Sequence, residues 1–424
     1  MMLSLVLSDE MSKNSICYSA PSDTDESKES STDSLLVTRP FQVGPGHLAT
    51  LTDDQWQILL KFWKLIMLTL SHDRSEFDTP HKLRKLAENL CSQSVDVTPS
   101  EDAVLANELV ADIFRQSVFD DVDTLALRFL RARKWILEDA LCMLIECASW
   151  RRAFQVERLV LKGEHGVRQD TLQGGKGFIW KEDRKGRLCV WVRARLHDRN
   201  AQSLQESIDY SVYWMELGRR LRCCDEQLVT MVFDLAGMPL AALDLPLAQF
   251  LVRCLQNYYP EILGMALIVD APWFFQGFWK MVRPLLDPVV ASKIVFVKRS
   301  ELNRYIHPLA IPSDFGGEDE FSYFYVPSEP KTGNYPVSIP DHVTQKERAF
   351  IRRTFSKEFD KEKRDLAKKE LEETYRDLYK DYLPENMYNR LHVLSNGAVD
   401  WDQYSKHQLC SKLVPTEGRS SAPI

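Results

Sequence analysis

No stretch of this 424-residue chain supplies the roughly 20 consecutive apolar residues that a membrane-spanning helix needs. The nearest candidate, Trp56 to Leu70, is interrupted by Lys61 and Lys64, so no transmembrane helix is predicted. Catalytic signatures are also missing. There is no GxSxG elbow, no P-loop, no HExxH, no GxGxxG after a strand and no kinase motif, which weighs against the hydrolase, NTPase, metalloprotease and dinucleotide-enzyme classes. The nine cysteines (17, 91, 142, 147, 189, 223, 224, 254, 410) include no CxxC pair and no His at zinc spacing. No metal is therefore expected, and their apolar settings read as reduced core thiols. No Asn-X-Ser/Thr sequon occurs, and Met1 to Leu7 is too short and lacks the basic flank of a signal peptide, which makes a cytoplasmic address the default. A basic surplus is absent too: 54 Lys and Arg stand against 61 Asp and Glu, a net charge of −7. That balance disfavours nucleic acid as a partner.

What is present suits a soluble globular chain: 44% hydrophobic, 10% aromatic and 27% charged residues. The length leaves room for two or three domains, or one large domain with helical extensions. Residues 1–40 hold ten serines and seven acids against three bases, a composition expected to stay disordered. Thr52 with Gln55 reads as a capping box, and Trp56, Leu59, Leu60, Trp63, Met67 and Leu70 follow at helical spacing. A polar stretch at 92–100 breaks this region. A second helical block then starts near Asp123, a candidate cap, and continues through Leu137, Leu141, Leu144, Ile145 and Ala148.

After Gly163 the period changes to two. GFIWKEDRKGRLCVWVRARL reads as a hairpin turning at Asp183 to Gly186. Helical signal at 201–222 precedes LVTMVFDL, signal at 246–257 precedes MALIVD, and 274–286 precedes SKIVFV. This alternation predicts an α/β domain with a mostly parallel sheet covered by helices. Residues 341–383 hold 12 Lys or Arg and 11 Asp or Glu, which reads as a solvated helix with i,i+4 pairs.

Three features bear on function. Gly174, Gly175 and Gly177 lack the spacing of a phosphate cradle and read as a turn. Asp234 and Asp270 end predicted strands, where an α/β sheet places ligands, yet such aspartates often cap the next turn. APWFFQGFWKMVRPLL, between Pro272 and Pro284, is apolar nearly all round and is either core or the lid of an apolar cavity.

LRFLRARKW (127–135), NYYPEILG (257–264), APWFFQGFW (271–279), LLDPVVASKIVFV (285–297) and IPSDFGGE (311–318) together resemble, in order and spacing, the CRAL-TRIO lipid-binding family. The likeness is strongest to its Sec-fourteen-like phosphatidylinositol transfer proteins and spans about 120–328. It implies a helical N-terminal lobe on an α/β lobe whose sheet floors an apolar pocket, closed by a gate helix. The expected division is a disordered tail 1–45, a helical extension 46–118, the N-terminal helical lobe 119–165, the lipid-binding domain 166–328, and a Pro-rich linker, charged helix and disordered end 329–424.

By the same resemblance, Arg133, Glu261 and Lys293 match the family's phosphatidylinositol headgroup residues, while Trp273, Phe274, Phe275, Phe278, Trp279 and Val290 belong to the gate and acyl pocket. Arg and Lys suit phosphate oxygens, and Glu accepts from ring hydroxyls. Two departures stand out. Val290 replaces a family threonine, and Val229 and Met231 replace the Ser and Thr of phosphatidylcholine binders, which leaves room for a more apolar second lipid. The implied function is lipid binding and intermembrane transfer by a peripheral, transiently membrane-associated monomer. It needs no cofactor beyond its bound phospholipid and no catalysis. The alternatives are a lipid-sensing scaffold, which would lose its partners on deletion of 341–424, and a lipid hydrolase using Asp234 or Asp270.

Overall fold

The computed structural model describes residues 44–70, 112–116, 121–220, 228–325, 341–356, 359–380 and 401. The Ser-rich tail up to residue 43, the polar break at 92–100, the Pro-rich linker and the C-terminal end lie outside them. In chain order the helices are α1 Asp53–Leu70, α2 Val122–Ala132, α3 Leu137–Phe154, α4 Val156–Lys162, α5 Gln169–Gln173, α6 Leu204–Arg220, α7 Leu245–Arg253, α8 Phe275–Val282, α9 Pro288–Ser292, α10 Asp341–Phe355 and α11 Lys361–Lys380. The strands are β1 Gly177–Glu182, β2 Leu188–Arg193, β3 Val229–Asp234, β4 Leu263–Val269 and β5 Ile294–Val297.

The five-stranded sheet runs β1-β2-β3-β4-β5, in sequence order. β1 and β2 are the expected antiparallel hairpin; its turn is closed by the Gly186 N–H donating to the Asp183 carbonyl at 2.9 Å, with Gly186 at φ +75°. The remaining pairs are parallel, each joined through at least one helix. A parallel sheet crossed over by helices must bury both faces, which is why β2 and β4 read as continuous apolar runs.

One core lies on the sheet around Phe178, Trp180, Trp191, Val232, Leu267 and Phe315. The other belongs to the helices, where Trp63 of α1 stacks on Phe114 at 5.9 Å and meets Phe350 of α10 edge-on at 5.4 Å. Tyr258, Tyr259 and Ile262 enter this second core and join it to the sheet. Beneath them Arg151 of α3 donates to Glu216 of α6 at 2.6 Å, and the Tyr259 hydroxyl donates to the same carboxylate at 2.7 Å. Burial alone would raise Glu216, but Arg151 and Arg219 hold it at about 2, so the pair stays charged.

The capping box is present: the Gln55 N–H donates to Thr52 Oγ1 at 3.2 Å, and the Thr52 N–H to Gln55 Oε1 at 3.1 Å. Three readings are corrected. The cap of α2 is Asp121, whose carboxylate accepts from the Thr124 N–H at 2.8 Å; Asp123, two residues on, is turned into the core instead. Cys142 is exposed, while Cys147, Cys189 and Cys254 are the buried thiols among the described residues. The charged run forms two helices rather than one, and they are not simply solvated. Val343, Phe350, Leu371 and Tyr375 sink into the helical core. Arg364 is wholly buried and bonds Asp123 at 2.6 and 2.9 Å, and Lys368 reaches Asp121 at 2.6 Å.

Candidate functional site

Strand register divides the sheet into two unequal faces. Val232, Leu267 and Val269 point to the sealed side. On the other side Met231 pairs across to Ala266 and Ile294, and Phe233 to Ile268 and Phe296. Here the cover is incomplete: Met231, Phe233 and Ile294 are half-buried and Phe296 is exposed. An apolar sheet face left partly uncovered is unfavourable in water unless something apolar completes it.

The partial cover is α8. Its aromatic content lets it lie flat on the sheet, with Phe275 buried and Trp279 meeting Phe296 edge-on at 5.2 Å. Phe274 and Phe278 are half-buried against Phe233, Leu235 and Ile268. Trp273, in the turn just before this helix, is 85% exposed and does not face the sheet. The helix is bounded as its prolines imply: the Phe275 N–H donates to the Pro272 carbonyl, and Pro284 lies in a single 3-10 turn, Arg283–Leu285. Gln256, in a π-helical turn Cys254–Tyr258, ties down the far end. Its side-chain amide donates to the Leu285 carbonyl at 3.3 Å, and its oxygen accepts from the Asp287 N–H at 2.6 Å. Asp287 in turn caps α9, accepting from the Val289 and Val290 N–H groups. Val290 is buried against Leu263 and Ala266, where a threonine hydroxyl would find an apolar wall.

Two of the three candidate headgroup residues, Arg133 and Glu261, flank the other end of this turn. Arg133 caps the C-terminus of α2 and faces Asn257 Oδ1 at 3.5 Å. Glu261, held at φ +56° just after Pro260, lies 4.0 Å from the Arg131 guanidinium. Its ion-pair partner is therefore the first arginine of the RAR motif. Arg133 and Glu261 are half-buried around the same turn; Lys293 ends α9, and its carbonyl accepts from the Ala266 N–H at 2.8 Å. No contact ties Lys293 to the other two among the described residues. A cavity of about 10 Å³ lined by Arg128, Arg219, Tyr259 and Ile262 has room for one water at most and is no lipid site.

Asp234 and Asp270 are engaged elsewhere. Asp234 is buried and accepts from Arg299 at 3.0 and 3.1 Å, with Arg195 at 3.4 Å. Asp270, at φ +48°, accepts from the Arg299 N–H at 3.0 Å. Both carboxylates fasten the loop after β5 to the strand ends, the structural role open to strand-end aspartates. Sequence reasoning missed Gln256, Arg131 and Arg299, since each acts through a partner far away in sequence. It also missed a buried relay in which Lys176 Nζ lies 2.8 Å from His197 Nδ1, and His197 Nε2 lies 3.2 Å from Asp244. Burial brings Lys176 down to about 8 and lowers His197 as well. Among the described residues no cluster of His, Cys, Asp and Glu could hold a metal, and no helix is long and apolar enough to cross a membrane.

Comparison with known proteins bears on the family. Residues 81–146 match the CRAL/TRIO N-terminal domain and residues 172–317 the CRAL/TRIO domain. A CRAL-TRIO domain-containing protein of Schizosaccharomyces pombe is 38% identical over 213 residues, 49% of this chain and 48% of that protein. A second one from the same organism is 29% identical over 324 residues, 70% of this chain and 89% of that protein. A phosphatidylinositol transfer protein of Eremothecium gossypii is 36% identical over 215 residues, 48% of this chain and 49% of that protein. The chain thus spans about half the length of the first and third of these relatives.

Proposed function

This chain carries a CRAL-TRIO domain together with the CRAL-TRIO N-terminal domain, and from that premise we propose that it binds phosphatidylinositol on the sheet face that α8 partly covers, with α8 moving aside to admit it, and transfers it between membranes. The observation that carries this reading is the partly uncovered face of Met231, Phe233, Ile294 and Phe296 under an aromatic helix. A two-chain phospholipid has roughly 30 methylenes, and exposing them to water costs on the order of 20 kcal/mol. A carrier therefore has to enclose both chains during transit and open only at a membrane. A short helix between two prolines, clasped at one end by Gln256, is suited to that task.

The headgroup assignment follows the same logic. Arg133 would present its fork to phosphate oxygens, Lys293 a point charge, and Glu261 an acceptor for ring hydroxyls. Val290 removes one hydroxyl contact from that set. Val229 and Met231 give phosphatidylcholine nothing to bond, and Met231 lies on the apolar face, which favours an apolar second lipid. The protein acts as a cytoplasmic monomer that meets membranes transiently. It performs no covalent chemistry on this reading: of the two strand-end carboxylates Asp234 is buried, and both are ion-paired to Arg299.

Mass spectrometry of lipids extracted after incubation with mixed liposomes tests the reading. Stoichiometric phosphatidylinositol in the wild type, lost in Arg133→Ala with Lys293→Ala, is the expected result. A wild type that excludes phosphatidylinositol while retaining a sterol or another apolar molecule would refute it.

A further inference from the structure

Arg131 of α2 makes two contacts in opposite directions along the chain. Its Nη1 donates to the Gly46 carbonyl at 3.0 Å, and its Nε stands 4.0 Å from Glu261 Oε2. The first contact reaches 85 residues back, to a loop, 44–50, that precedes both CRAL-TRIO domains. The second is an ion pair but no hydrogen bond, since N–H···O bonds close at roughly 2.7–3.2 Å. Among the described residues no hydrogen bond to the Glu261 carboxylate is found.

The loop is built to hold the Gly46 carbonyl still. The Thr50 hydroxyl donates to the Gly44 carbonyl at 2.6 Å, the Thr50 N–H to the His47 carbonyl at 2.8 Å, and the His47 N–H to Thr50 Oγ1 at 3.2 Å. Gly46, enclosed by these bonds, is buried at φ +80°, a backbone state that favours glycine. A Cβ there would lie 3.0 Å from the Trp135 ring and 3.4 Å from Arg131 Cδ. Trp135 belongs to the turn that ends α2, where Lys134 and Trp135 take left-handed φ values of +54° and +65°, and Arg133 opens that turn. The loop therefore touches the supports of two candidate headgroup residues, Arg133 and Glu261.

We propose that residues 44–50 are a buttress that sets headgroup selectivity, with Arg131 as the positioning residue. The Gly46 carbonyl holds the guanidinium one step short of Glu261, so the carboxylate keeps its oxygens for the ring hydroxyls of an inositol headgroup. With that carbonyl displaced, Arg131 closes on Glu261 as a hydrogen-bonded pair, the guanidinium fork against both oxygens, and the hydroxyls lose their acceptor. A site built to bond hydroxyls rejects a ligand that lacks them. The choline headgroup carries none, so phosphatidylcholine gains relative to phosphatidylinositol when the loop is disturbed. This inference rests on the phosphatidylinositol reading above, and the two fail differently.

Full-length protein is loaded from liposomes holding equal amounts of phosphatidylinositol and phosphatidylcholine, and the bound classes are counted by mass spectrometry. The variants are Thr50→Val, Thr50→Ser, Gly46→Ala, Glu261→Gln, and Thr50→Val combined with Glu261→Gln. Thr50 is exposed, so its variants should fold, which circular dichroism melting checks. Thr50→Val and Gly46→Ala should lower the ratio of phosphatidylinositol to phosphatidylcholine about tenfold, with total lipid per protein unchanged. Thr50→Ser, which keeps the hydroxyl, should match the wild type. Glu261→Gln should lower the ratio by itself, and Thr50→Val should add nothing to it, because both act on one acceptor. A wild-type ratio in Thr50→Val, an additive loss in the double variant, or a parallel fall in total lipid overturns the buttress while phosphatidylinositol binding stands. A wild type that takes up no phosphatidylinositol overturns the carrier reading, and the buttress with it.

Discussion

Arg364 and Asp123 are 241 residues apart in sequence, and the Arg364 guanidinium donates to both oxygens of the Asp123 carboxylate, at 2.6 and 2.9 Å, in a fully buried setting. The Trp63 indole N–H donates to the same carboxylate at 2.7 Å. Removing one member of such a pair strands the other in the core. Arg364→Ala should cost about 3–5 kcal/mol of stability, read from urea unfolding followed by far-UV circular dichroism. A loss below about 1 kcal/mol would show the pair to be hydrated in solution. Deleting 341–424 is accordingly no neutral way to look for partners, because the deletion also removes Phe350 and Tyr375 from the helical core.

The pH dependence has two limbs. Burial alone would raise Asp123, but Arg364 and Lys368 hold it at about 2, below its ordinary 3.8. A depressed acid contributes stability above the unfolded value and loses it as pH falls through about 2. Glu182 and Glu372 do the opposite: burial raises each from 4.5 to about 7, helped at Glu372 by Asp121. A raised acid contributes stability below 4.5 that is lost as pH rises through about 7. With respect to these groups the melting temperature should peak at about pH 4–5. Glu372→Gln should flatten the decline between 4.5 and 7, and a slope identical to wild type would contradict this.

Gln256 predicts a kinetic phenotype. Gln256→Ala removes the two hydrogen bonds at the end of the gate, each worth about 1 kcal/mol. Exchange of a fluorescent phospholipid should accelerate by up to about thirtyfold, with little change in the amount bound at equilibrium. Identical exchange rates would mean that this end of α8 does not move.

Val290→Thr should shift lipid preference at some cost in stability. The residue is buried against Leu263 and Ala266, so a hydroxyl there loses about 1–2 kcal/mol unless it meets a ligand. The variant should melt earlier when lipid-free, yet hold a larger share of phosphatidylinositol in competition with phosphatidylcholine. Earlier melting with an unchanged share would place the headgroup elsewhere.

Much of this architecture was readable from local pattern. The hairpin turn at Asp183 to Gly186 and the apolar runs of β3 and β4 declare themselves because backbone geometry fixes their residues within a few positions. Pro272 and Pro284 bracket the gate for the same reason. The pairing of α10 and α11 with α1 and α2 was not legible, since alternating charges look alike whether they face water or a buried aspartate. Nor was it legible which of two aspartates caps α2, because both positions satisfy the local rule and only Arg364 distinguishes them. In the candidate site the family motifs pointed to Arg133, Glu261 and Lys293. Gln256 has no such signature, and the exposure of Trp273 depends on how the turn before α8 is seated.

The bond between Asp123 and Arg364 also orders events during synthesis. Translation at about 5–20 residues per second separates the two side chains by roughly 10–50 s. Over that interval the nascent helices around Trp63 leave the ribosome before the part of their core that α10 and α11 supply. The sheet, whose strands follow one another in sequence order, can close as it emerges. The core of the amino-terminal helices is complete only when Phe350, Arg364 and Tyr375 have been made, so the first helices synthesised are among the last to be fully packed.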